Sequence, residues 1–366
     1  MKIAVVCLAC RSGGGLTILQ DLFSFASANC GSHEWLFVLS DQKLLSNNTN
    51  VHVKRTTAAY RGIASRIAAE FTSGRTAINH FEPDIVLSLQ NVDTPARGRR
   101  PLAIYMHQAL PFADATFSPF KRSERSIAIR QTLLGFLIRR SVARAQVTFV
   151  QTQWIADAVS KACPYTNVKN IGYRLPHAPT LPEQTPQRTT CFVYPASGAI
   201  YKDHITLHRA VKLWHSWEPN VGKVVLTLAQ DTFERVVGSL TADEARWYDF
   251  VGNVPAEVLA EIYANSILVF PSYLETLGLP LYEARAHGCR IVAADTAHAR
   301  EALAEYQLVH YTAPQSPRDL ANAMSKAWEL RNVRNTSNSG TICEARTPKS
   351  PWDIMLQALS EIIAAT

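Results

Sequence analysis

The chain has 366 residues, of which 47% are hydrophobic and 18% charged, with a formal net charge of +7 at pH 7. At about 100–200 residues per domain this length predicts two domains, and so apolar a chain is not intrinsically disordered. The seven cysteines are an odd number without paired spacing, which excludes a small disulfide-stapled fold. We interpret them as reduced, structural thiols of a cytosolic protein.

The N-terminal apolar run ends in a C-x-x-C sequence, Cys7 and Cys10. No second pair and no nearby histidine completes a zinc site. The run, about eight residues long, is too short to span a membrane, and no signal-peptide cleavage region follows it. We therefore expect Lys2–Leu8 to be the buried first strand of a parallel sheet.

The charge is unevenly distributed, because residues 1–183 carry +10 and residues 184–366 carry −3. The excess is greatest between Arg97 and Arg144, where ten Lys and Arg residues stand against two acidic ones. Such a field attracts phosphate groups, whether on nucleic acid, on anionic lipid or in a pyrophosphate-linked substrate. No nucleic-acid-binding motif accompanies the charge, so we expect no nucleic-acid partner.

In the first half, short apolar runs alternate with longer amphipathic runs. The runs predict strands at Lys2–Leu8, Glu34–Leu39, Ile85–Leu89, Leu102–Met106 and Thr148–Thr152. Helices are predicted at Leu16–Ala28, Ile63–Phe81 and Ser126–Ala143. This alternation is typical of parallel strands covered by helices on both faces.

The pattern resumes after a proline-rich stretch that can continue neither a helix nor a strand. Strands are predicted at Cys191–Tyr194, Val224–Leu228, Tyr248–Val251, Ile267–Phe270 and Arg290–Ala293. Helices are predicted at His204–Trp217, Pro255–Ala264 and Pro280–His287.

The predicted class is α/β, with two Rossmann-like domains in tandem. We place the domains at residues 1–174 and 189–345, with a linker at 175–188. Residues 334–350 are polar and predict a loose loop. A last amphipathic helix, within residues 351–366, is expected to pack back on the first domain.

The segment from Val269 to Gly288 reads as a strand, a polar turn and a helix. Pro280 suits a first helical turn and Gly288 a helix end, with Glu283 near the start and Glu275 in the turn before it. The outward amides at that helix start favour an anion. Taken singly, Glu283 could complement the helix dipole and Glu275 could cap the turn. Together they suit a ligand that carries hydroxyl groups as well as phosphate.

Glu275 and Glu283, with seven residues between them, resemble the E-x7-E signature of retaining glycosyltransferases of family 4. Phe-Pro-Ser before the first Glu, Gly-Leu-Pro between the two and Glu-Ala-x-x-x-Gly from the second also resemble it. Residues 251–254 resemble the family's base-recognition loop, and 291–295 its next strand. The Tyr-Pro…Lys-Asp-His form of residues 194–204 is similar to the mannosyltransferase-like group 1 enzymes that build bacterial polysaccharide and O-antigen.

The resemblance implies a GT-B fold, two Rossmann-like domains facing across a cleft, and a retaining, metal-independent hexosyltransferase. It gives Glu283 the nucleotide ribose and Glu275 the hydroxyls of the donor sugar. The backbone amides of Thr276, Leu277, Gly278 and Leu279 would hold the sugar and the diphosphate. Val254, in the base-recognition loop, would contact the base.

Lys202 precedes a predicted helix after a strand, where the family's Lys contacts the diphosphate. The family commonly has an Arg as well, but Ala196 and Ser197 occupy the positions six and five before Lys202. Ser197 is nevertheless grouped with the donor-binding residues. The alternative is a solvated lysine at a helix start.

In the first domain, Gly14 and Gly15 lie in a Gly-Gly-Gly loop after the first strand. The loop lacks the G-x-G-x-x-G order and is a weak dinucleotide signal, but it suits a backbone that approaches a ligand. A simple tight turn is the alternative. His107 ends a predicted strand, where the family often has a His near the donor sugar; a structural histidine is the alternative.

No Asp-x-Asp pair occurs, so the metal clamp of the other major glycosyltransferase fold is missing and no cofactor or metal is expected. The predicted substrates are a GDP- or UDP-linked sugar and a glycan or lipid-linked acceptor in surface polysaccharide synthesis. Two other functions stay open: a sugar-nucleotide epimerase on a similar fold, and a non-catalytic module that binds anionic glycans or nucleic acid.

The predicted helix at 126–143 is basic and amphipathic, with an apolar stripe at Ile127, Leu134, Leu137 and Ile138. Its cationic partners for anionic lipid are Arg125, Arg130, Arg139, Arg140 and Arg144. We predict a cytoplasmic enzyme that binds peripherally to the inner face of the plasma membrane. The alternative is a core-packed helix with a solvated basic face.

Overall fold

The computed structural model describes residues 1–10, 13–29, 31, 33–40, 42–56, 62–113, 116–122, 124–175, 189–218, 222–332 and 349–365. The chain divides into a first unit, Met1–Arg174 with Thr347–Thr366, and a second unit, Leu175–Arg346. Residues 176–188 of the predicted linker and 334–348 of the predicted loop lie outside the described residues.

The first unit contains a sheet of seven parallel strands in the order β3-β2-β1-β4-β5-β6-β7. The strands are β1 Lys2–Cys7, β2 Glu34–Leu39, β3 Val51–Arg55, β4 Ile85–Ser88, β5 Leu102–Tyr105, β6 Val147–Val150 and β7 Val168–Asn170. The helices are α1 Gly14–Ala28, α2 Ile63–Ala69, α3 Arg75–Phe81, α4 Arg125–Val142, α5 Gln153–Ala162 and α13 Pro351–Ala364.

The C-terminal helix α13 belongs to the core of the first unit. Trp352, Met355 and Leu359 are buried in the cluster that includes β1 and α1. Trp352 Nε1 donates a hydrogen bond to Asp21 Oδ2 at 2.8 Å. The apolar face of this helix, seen in the sequence, is therefore covered by the first unit.

The second unit contains six parallel strands in the order β10-β9-β8-β11-β12-β13. The strands are β8 Cys191–Tyr194, β9 Lys223–Leu226, β10 Tyr248–Phe250, β11 Ser266–Phe270, β12 Ile291–Ala294 and β13 Val309–Thr312. The helices are α6 His204–Trp217, α7 Gln230–Val237, α8 Ala242–Ala245, α9 Ala256–Ala264, α10 Leu279–Ala286, α11 Ala297–Ala302 and α12 Pro317–Glu329.

All predicted strands and helices occur, with ends shifted by one or two residues, and the predicted α/β class is confirmed. The strands missing from the prediction, β3, β7 and β13, are edge strands of their sheets. Their burial is partial, as in Val168–Asn170 with no fully buried residue, so the apolar pattern is weak. The single helix expected over residues 63–81 is interrupted by a π-helical turn, Glu70–Gly74.

The packing of helix α4 differs from the prediction that its apolar stripe at Ile127, Leu134, Leu137 and Ile138 faces a membrane. Ile138 is fully buried, and Ile127 and Leu134 are half-buried, so most of that stripe packs inward. The exposed apolar side chains of the helix are Ile129, Leu133, Phe136 and Leu137. The helix carries apolar residues on two sides. The amphipathic pattern in the sequence identified the side that packs against the protein, and not the exposed side.

Five cysteines among the described residues are free thiols: Cys7, Cys10, Cys163, Cys191 and Cys289. Cys30 and Cys343 lie outside the described residues. Within the described part of the chain, no helix is both long and apolar enough to cross a bilayer.

Candidate active site

Each sheet has a point where the strand order reverses, which is where open α/β sheets bind ligands at the carboxyl ends of the strands. In the second unit this point lies between β8 and β11. The loop after β8 leads to Lys202 and α6, and the loop after β11 carries Glu275 and leads to α10. The predicted site residues therefore emerge from the two strands on either side of the reversal.

Lys202 and Glu275 form an ion pair between Nζ and Oε1, and each side chain is 14% exposed. Ser272 Oγ also donates a hydrogen bond to Glu275 Oε1, at 2.7 Å. Both predicted donor-binding groups are thus held at one place before any ligand binds. A diphosphate that reaches Lys202 has to compete with Glu275 for this cation.

The two loops are tied together through Tyr201. Tyr273 N donates a hydrogen bond to the Tyr201 carbonyl oxygen at 3.1 Å, and Ser272 Oγ lies 3.1 Å from the same oxygen. The buried Tyr194 hydroxyl donates to the Lys202 carbonyl oxygen at 2.6 Å. These contacts fix the backbone on both sides of the ion pair, so its geometry is set by buried groups.

Glu283 lies on α10, and its Oε2 accepts a hydrogen bond from the Tyr263 hydroxyl at 2.9 Å. Burial raises the pKa of the Glu283 carboxyl, and the hydrogen bond from Tyr263 opposes that rise. A half-buried carboxylate with one oxygen held by a tyrosine keeps acceptor capacity for a ligand hydroxyl. Glu283 is not in contact with the ion pair in any described interaction.

The turn between the two Glu residues has specific backbone demands. Gly278 has φ 74°, and a Cβ there would lie 3.1 Å from Leu281 Cδ1. Leu277 is buried, while Thr276 and Leu279 are half-buried. Glycine is therefore required for the tight approach before α10.

Ser197 and Val254 line one pocket of about 480 Å³ at the ends of β8, β9 and β10. Its other walls include Gly198, Thr227 and Asn253. A Cβ on Gly198 would lie 2.8 Å from Thr232 Cγ2, so the loop after β8 fits there only with glycine. The two residues predicted separately as donor-binding are thus brought to the same pocket.

Two buried histidines support the loops and were not predicted as site residues from the sequence. His204 Nε2 donates to the Ser197 carbonyl oxygen at 2.8 Å, and burial lowers the pKa of His204 to about 4. His298 lies 3.6 Å from the Cβ position of Gly278, and burial lowers its pKa to about 3. Both are neutral at physiological pH, and nothing in their local sequence distinguishes them from surface histidines.

In the first unit, the strand order reverses between β1 and β4. Gly14 and Gly15 begin α1, and a Cβ on Gly15 would lie 3.2 Å from Cys10 Sγ and 3.3 Å from His107 Nε2. The structure thus brings the predicted glycine loop against His107, with Cys10 as a third member. Gly14 and Gly15 are thus the first residues of a helix, the described neighbours of Gly15 are side chains of the same unit, and approach of this backbone to a ligand stays a prediction.

Asn91 is a residue of this cluster that the sequence did not reveal. It follows β4 and has φ 65°, and its side chain contacts both the backbone and the ring of His107. A Gln-Asn pair directly after an apolar strand was the available signal. In the part of the chain that the structure describes, no three His, Cys, Asp or Glu side chains group as a metal site.

Comparison with known proteins identifies the second unit. Residues 202–340 match the family described as Glycosyl transferases group 1, a range that begins at Lys202 and includes Glu275 and Glu283. No curated protein matches the chain.

Solved structures share the fold at low sequence identity. HepE of Anabaena, solved in complex with UDP and glucose, has TM-score 0.66 at 18% identity, with 100% of each chain covered. Sucrose-phosphate synthase of Thermosynechococcus elongatus has TM-score 0.67 at 16% identity, covering 90% of this chain and 92% of that one. WaaG, a glycosyltransferase of lipopolysaccharide biosynthesis, has TM-score 0.64 at 13% identity, covering 89% and 90%.

These neighbours have the GT-B fold, which consists of two Rossmann-like domains. The seven-stranded and six-stranded sheets of this chain correspond to those two domains. The family match and the fold confirm the group 1 resemblance and the GT-B fold that the Glu275 and Glu283 motif predicted, while the retaining mechanism and the residue roles stay predictions. The second unit thus matches the group 1 glycosyltransferases, which supports transferase activity, and the two sheets have the GT-B fold.

Proposed function

We propose that this chain is a retaining, metal-independent hexosyltransferase that uses a nucleotide sugar and a glycan or lipid-linked acceptor in surface polysaccharide synthesis. The observation that carries the proposal is the Lys202–Glu275 ion pair at the strand-order reversal of the second unit. It joins a cation suited to diphosphate with a carboxylate suited to sugar hydroxyls.

The chemical barrier lies in breaking the anomeric C–O bond while negative charge grows on the diphosphate. Lys202 and the amides of Thr276, Leu277 and Gly278 at the start of α10 stabilise that charge electrostatically. The acceptor hydroxyl oxygen then forms a bond to the anomeric carbon on the same face, and its proton passes to the leaving phosphate. In this scheme Glu275 orients the sugar, and Glu283 with Tyr263 holds the ribose.

The donor is either a GDP-mannose-like or a UDP-linked sugar. The UDP complex of HepE, a protein of the same fold, supports a UDP-sugar as the first to be tested. The subgroup resemblance of the sequence supports GDP-mannose. The pocket at Ser197 and Val254 is where we place the base.

A thermal-shift panel of nucleotide sugars tests the donor, because a ligand that binds only the folded state raises the melting temperature. The preferred donor should then release nucleoside diphosphate only when acceptor is present, with retention at the anomeric carbon seen by NMR. Product formation without acceptor would support the epimerase alternative. Salt-sensitive nucleic-acid binding without any nucleotide-sugar binding would support the non-catalytic module.

We further propose that the enzyme works peripherally at the cytoplasmic face of an anionic membrane, through helix α4. Leu133 and Phe136 are 63% and 64% exposed, and Phe120, just before the helix, is 91% exposed. Exposed arginines flank these apolar side chains: Arg125, Arg130, Arg139, Arg140 and Arg144. Each cation near an anionic surface contributes about 1 kcal/mol, so this charge favours lipid as the occupant of the face.

Liposome sedimentation tests this placement. Binding should require anionic lipid, fall with salt, and weaken when Arg125, Arg130 and Arg140 all become Gln. The matched control replaces three exposed cations elsewhere in the first unit by Gln: Lys54, Arg99 and Lys161. If the two triple variants bind alike, or the wild type ignores anionic vesicles at low salt, α4 is not a membrane face.

A further inference from the structure

The cluster behind the glycine loop of the first unit fixes the state of His107. Asn91 Oδ1 accepts a hydrogen bond from the His107 backbone N at 2.6 Å. Asn91 Nδ2 lies 3.2 Å from His107 Nε2. One amide group thus holds both the backbone and the ring of a single residue.

The orientation of this amide follows from chemistry alone. A backbone N–H only donates, so the Asn91 atom facing it has to be the carbonyl oxygen. The NH₂ group therefore faces the ring, and since it only donates, His107 Nε2 has to accept. The ring proton of a neutral His107 then resides on Nδ1.

The burial and the backbone conformation of Asn91 suit it to hold His107. Asn91 is 8% exposed and has φ 65°, a left-handed conformation that few residues other than glycine adopt but that Asn tolerates. Such strain is retained where the surrounding structure requires it. Cys10 Sγ lies 4.0 Å from Nε2, and a Cβ on Gly15 would lie 3.3 Å from it.

We propose that Asn91 is a positioning residue that assigns the ring proton of His107 to Nδ1, so that Nε2 is an internal hydrogen-bond acceptor and not the base of the reaction. The proposal rests on the proposed function only for the role of His107 in transfer. It gives the neutral His107 ring one tautomer and one orientation.

Cys10 faces this ring, and two further titratable or charged groups act on Cys10. Cys10 lies in the loop after β1 and Cys7 ends that strand, and the Cys7 thiol, by hydrogen bonding, lowers the pKa of Cys10. Arg66 of α2 adds positive charge near Cys10. The competing arrangement is therefore a Cys10 thiolate beside an imidazolium of His107.

Two variants at Asn91 separate these arrangements. Asn91→Asp keeps the shape and the acceptor for the backbone N–H, but it replaces the donor toward Nε2 by an acceptor. It should move the ring proton to Nε2 and favour the imidazolium. Asn91→Gly, the matched control, tolerates the positive φ and removes the amide without adding charge.

Two-bond ¹H–¹⁵N spectra of the ¹⁵N-labelled full chain report the protonation of each ring nitrogen, with His107 assigned from its loss in His107→Gln. Wild type at pH 7.5 should show a protonated Nδ1 and an unprotonated Nε2, and Asn91→Asp should show a protonated Nε2. A wild-type spectrum with Nε2 protonated, alone or with Nδ1, overturns the proposal. So does an unchanged spectrum in Asn91→Asp.

Kinetics test the consequence for transfer. Asn91→Asp should lower kcat about tenfold, because it loses the hydrogen bond that orients the ring. Melting curves check that both variants fold. Wild-type kinetics in both variants would remove the positioning role while leaving the proposed function intact. If the wild type transfers no sugar from any donor, the proposed function fails, and the spectra alone decide the state of His107.

Discussion

The two units place polar residues at equivalent points of similar sheets but use different chemistry there. The second unit has a charged pair, Lys202 with Glu275, and the first has an amide and an imidazole, Asn91 with His107. A leaving diphosphate needs a charge to stabilise it, whereas a neutral amide fixes geometry without attracting anions. The charged pair therefore lies in the second unit, although the second half of the sequence is less basic than the first.

The basic excess of the first half lies elsewhere. Much of it is on and around α4, where Arg125, Arg130 and Arg140 are exposed, and not at the strand-order reversal beside His107. Net charge indicates a partner class for a surface, but it does not locate the reaction.

The largest effect should come from the charged pair. Glu275→Gln and Lys202→Met are each expected to lower kcat by about ten- to a hundredfold, because a charged hydrogen bond contributes about 1.5–3 kcal/mol. Lys212→Met is the matched control, since Lys212 pairs with Glu244 in the same unit but is 64% exposed. Near-wild-type steady-state kinetics in both site variants would remove the site assignment.

Glu283 should affect binding of the donor more than turnover. Glu283→Gln is expected to raise the donor KM about tenfold, and Tyr263→Phe by less, because the Tyr263 hydroxyl only orients the carboxylate. Burial raises the pKa of Glu283, and only its carboxylate form accepts the ribose hydroxyls. As the pH falls, the wild-type donor KM should therefore begin to rise at a higher pH than it would with an ordinary glutamate. Glu283→Gln should lose this acid limb; a KM unchanged in Glu283→Gln would contradict the ribose role.

The buried histidines should make the second unit acid-sensitive. The pKa of His204 is lowered to about 4 and that of His298 to about 3, so the folded form resists protonation. The stability they contribute is complete above about pH 6.5, the unfolded value, and is lost as the pH falls toward 4, by up to about 1.4 kcal/mol per pH unit for each group.

Hydrogen exchange at pH 7.5 and 5, corrected for intrinsic rates, measures this loss in α6 and α11. His204→Gln should reduce the pH dependence in α6, and the amides of β1 in the first unit provide the comparison. An equal loss of protection in β1 and α6 would mean that the histidines do not carry the acid sensitivity.

The smallest expected effect is that of metal removal. Activity in EDTA should equal activity without it, since in the proposed mechanism Lys202 takes the place of a metal at the diphosphate. Activity that EDTA abolishes and manganese or magnesium restores would contradict the metal-independent mechanism and would weaken the case for Lys202 as the main cation.

The sequence by itself determined the fold class and the residues of the charged pair. Apolar runs such as Ser266–Phe270 identify parallel strands because they are buried on both faces. Glu275, Glu283 and Gly278 were found because a strand, a turn and a helix within 20 residues constrain their spacing locally. The roles inferred for these residues stay predictions.

Only the tertiary structure decided which groups meet. Lys202 and Glu275 are 73 residues apart, and Asn91 and His107 are 16 apart in loops after different strands. Periodicity also placed Ile138 on the membrane side of α4, although that side chain is fully buried. A pattern reports that a helix has an apolar side, but which neighbour covers that side depends on how the chain packs, and packing brings together residues that no local spacing relates.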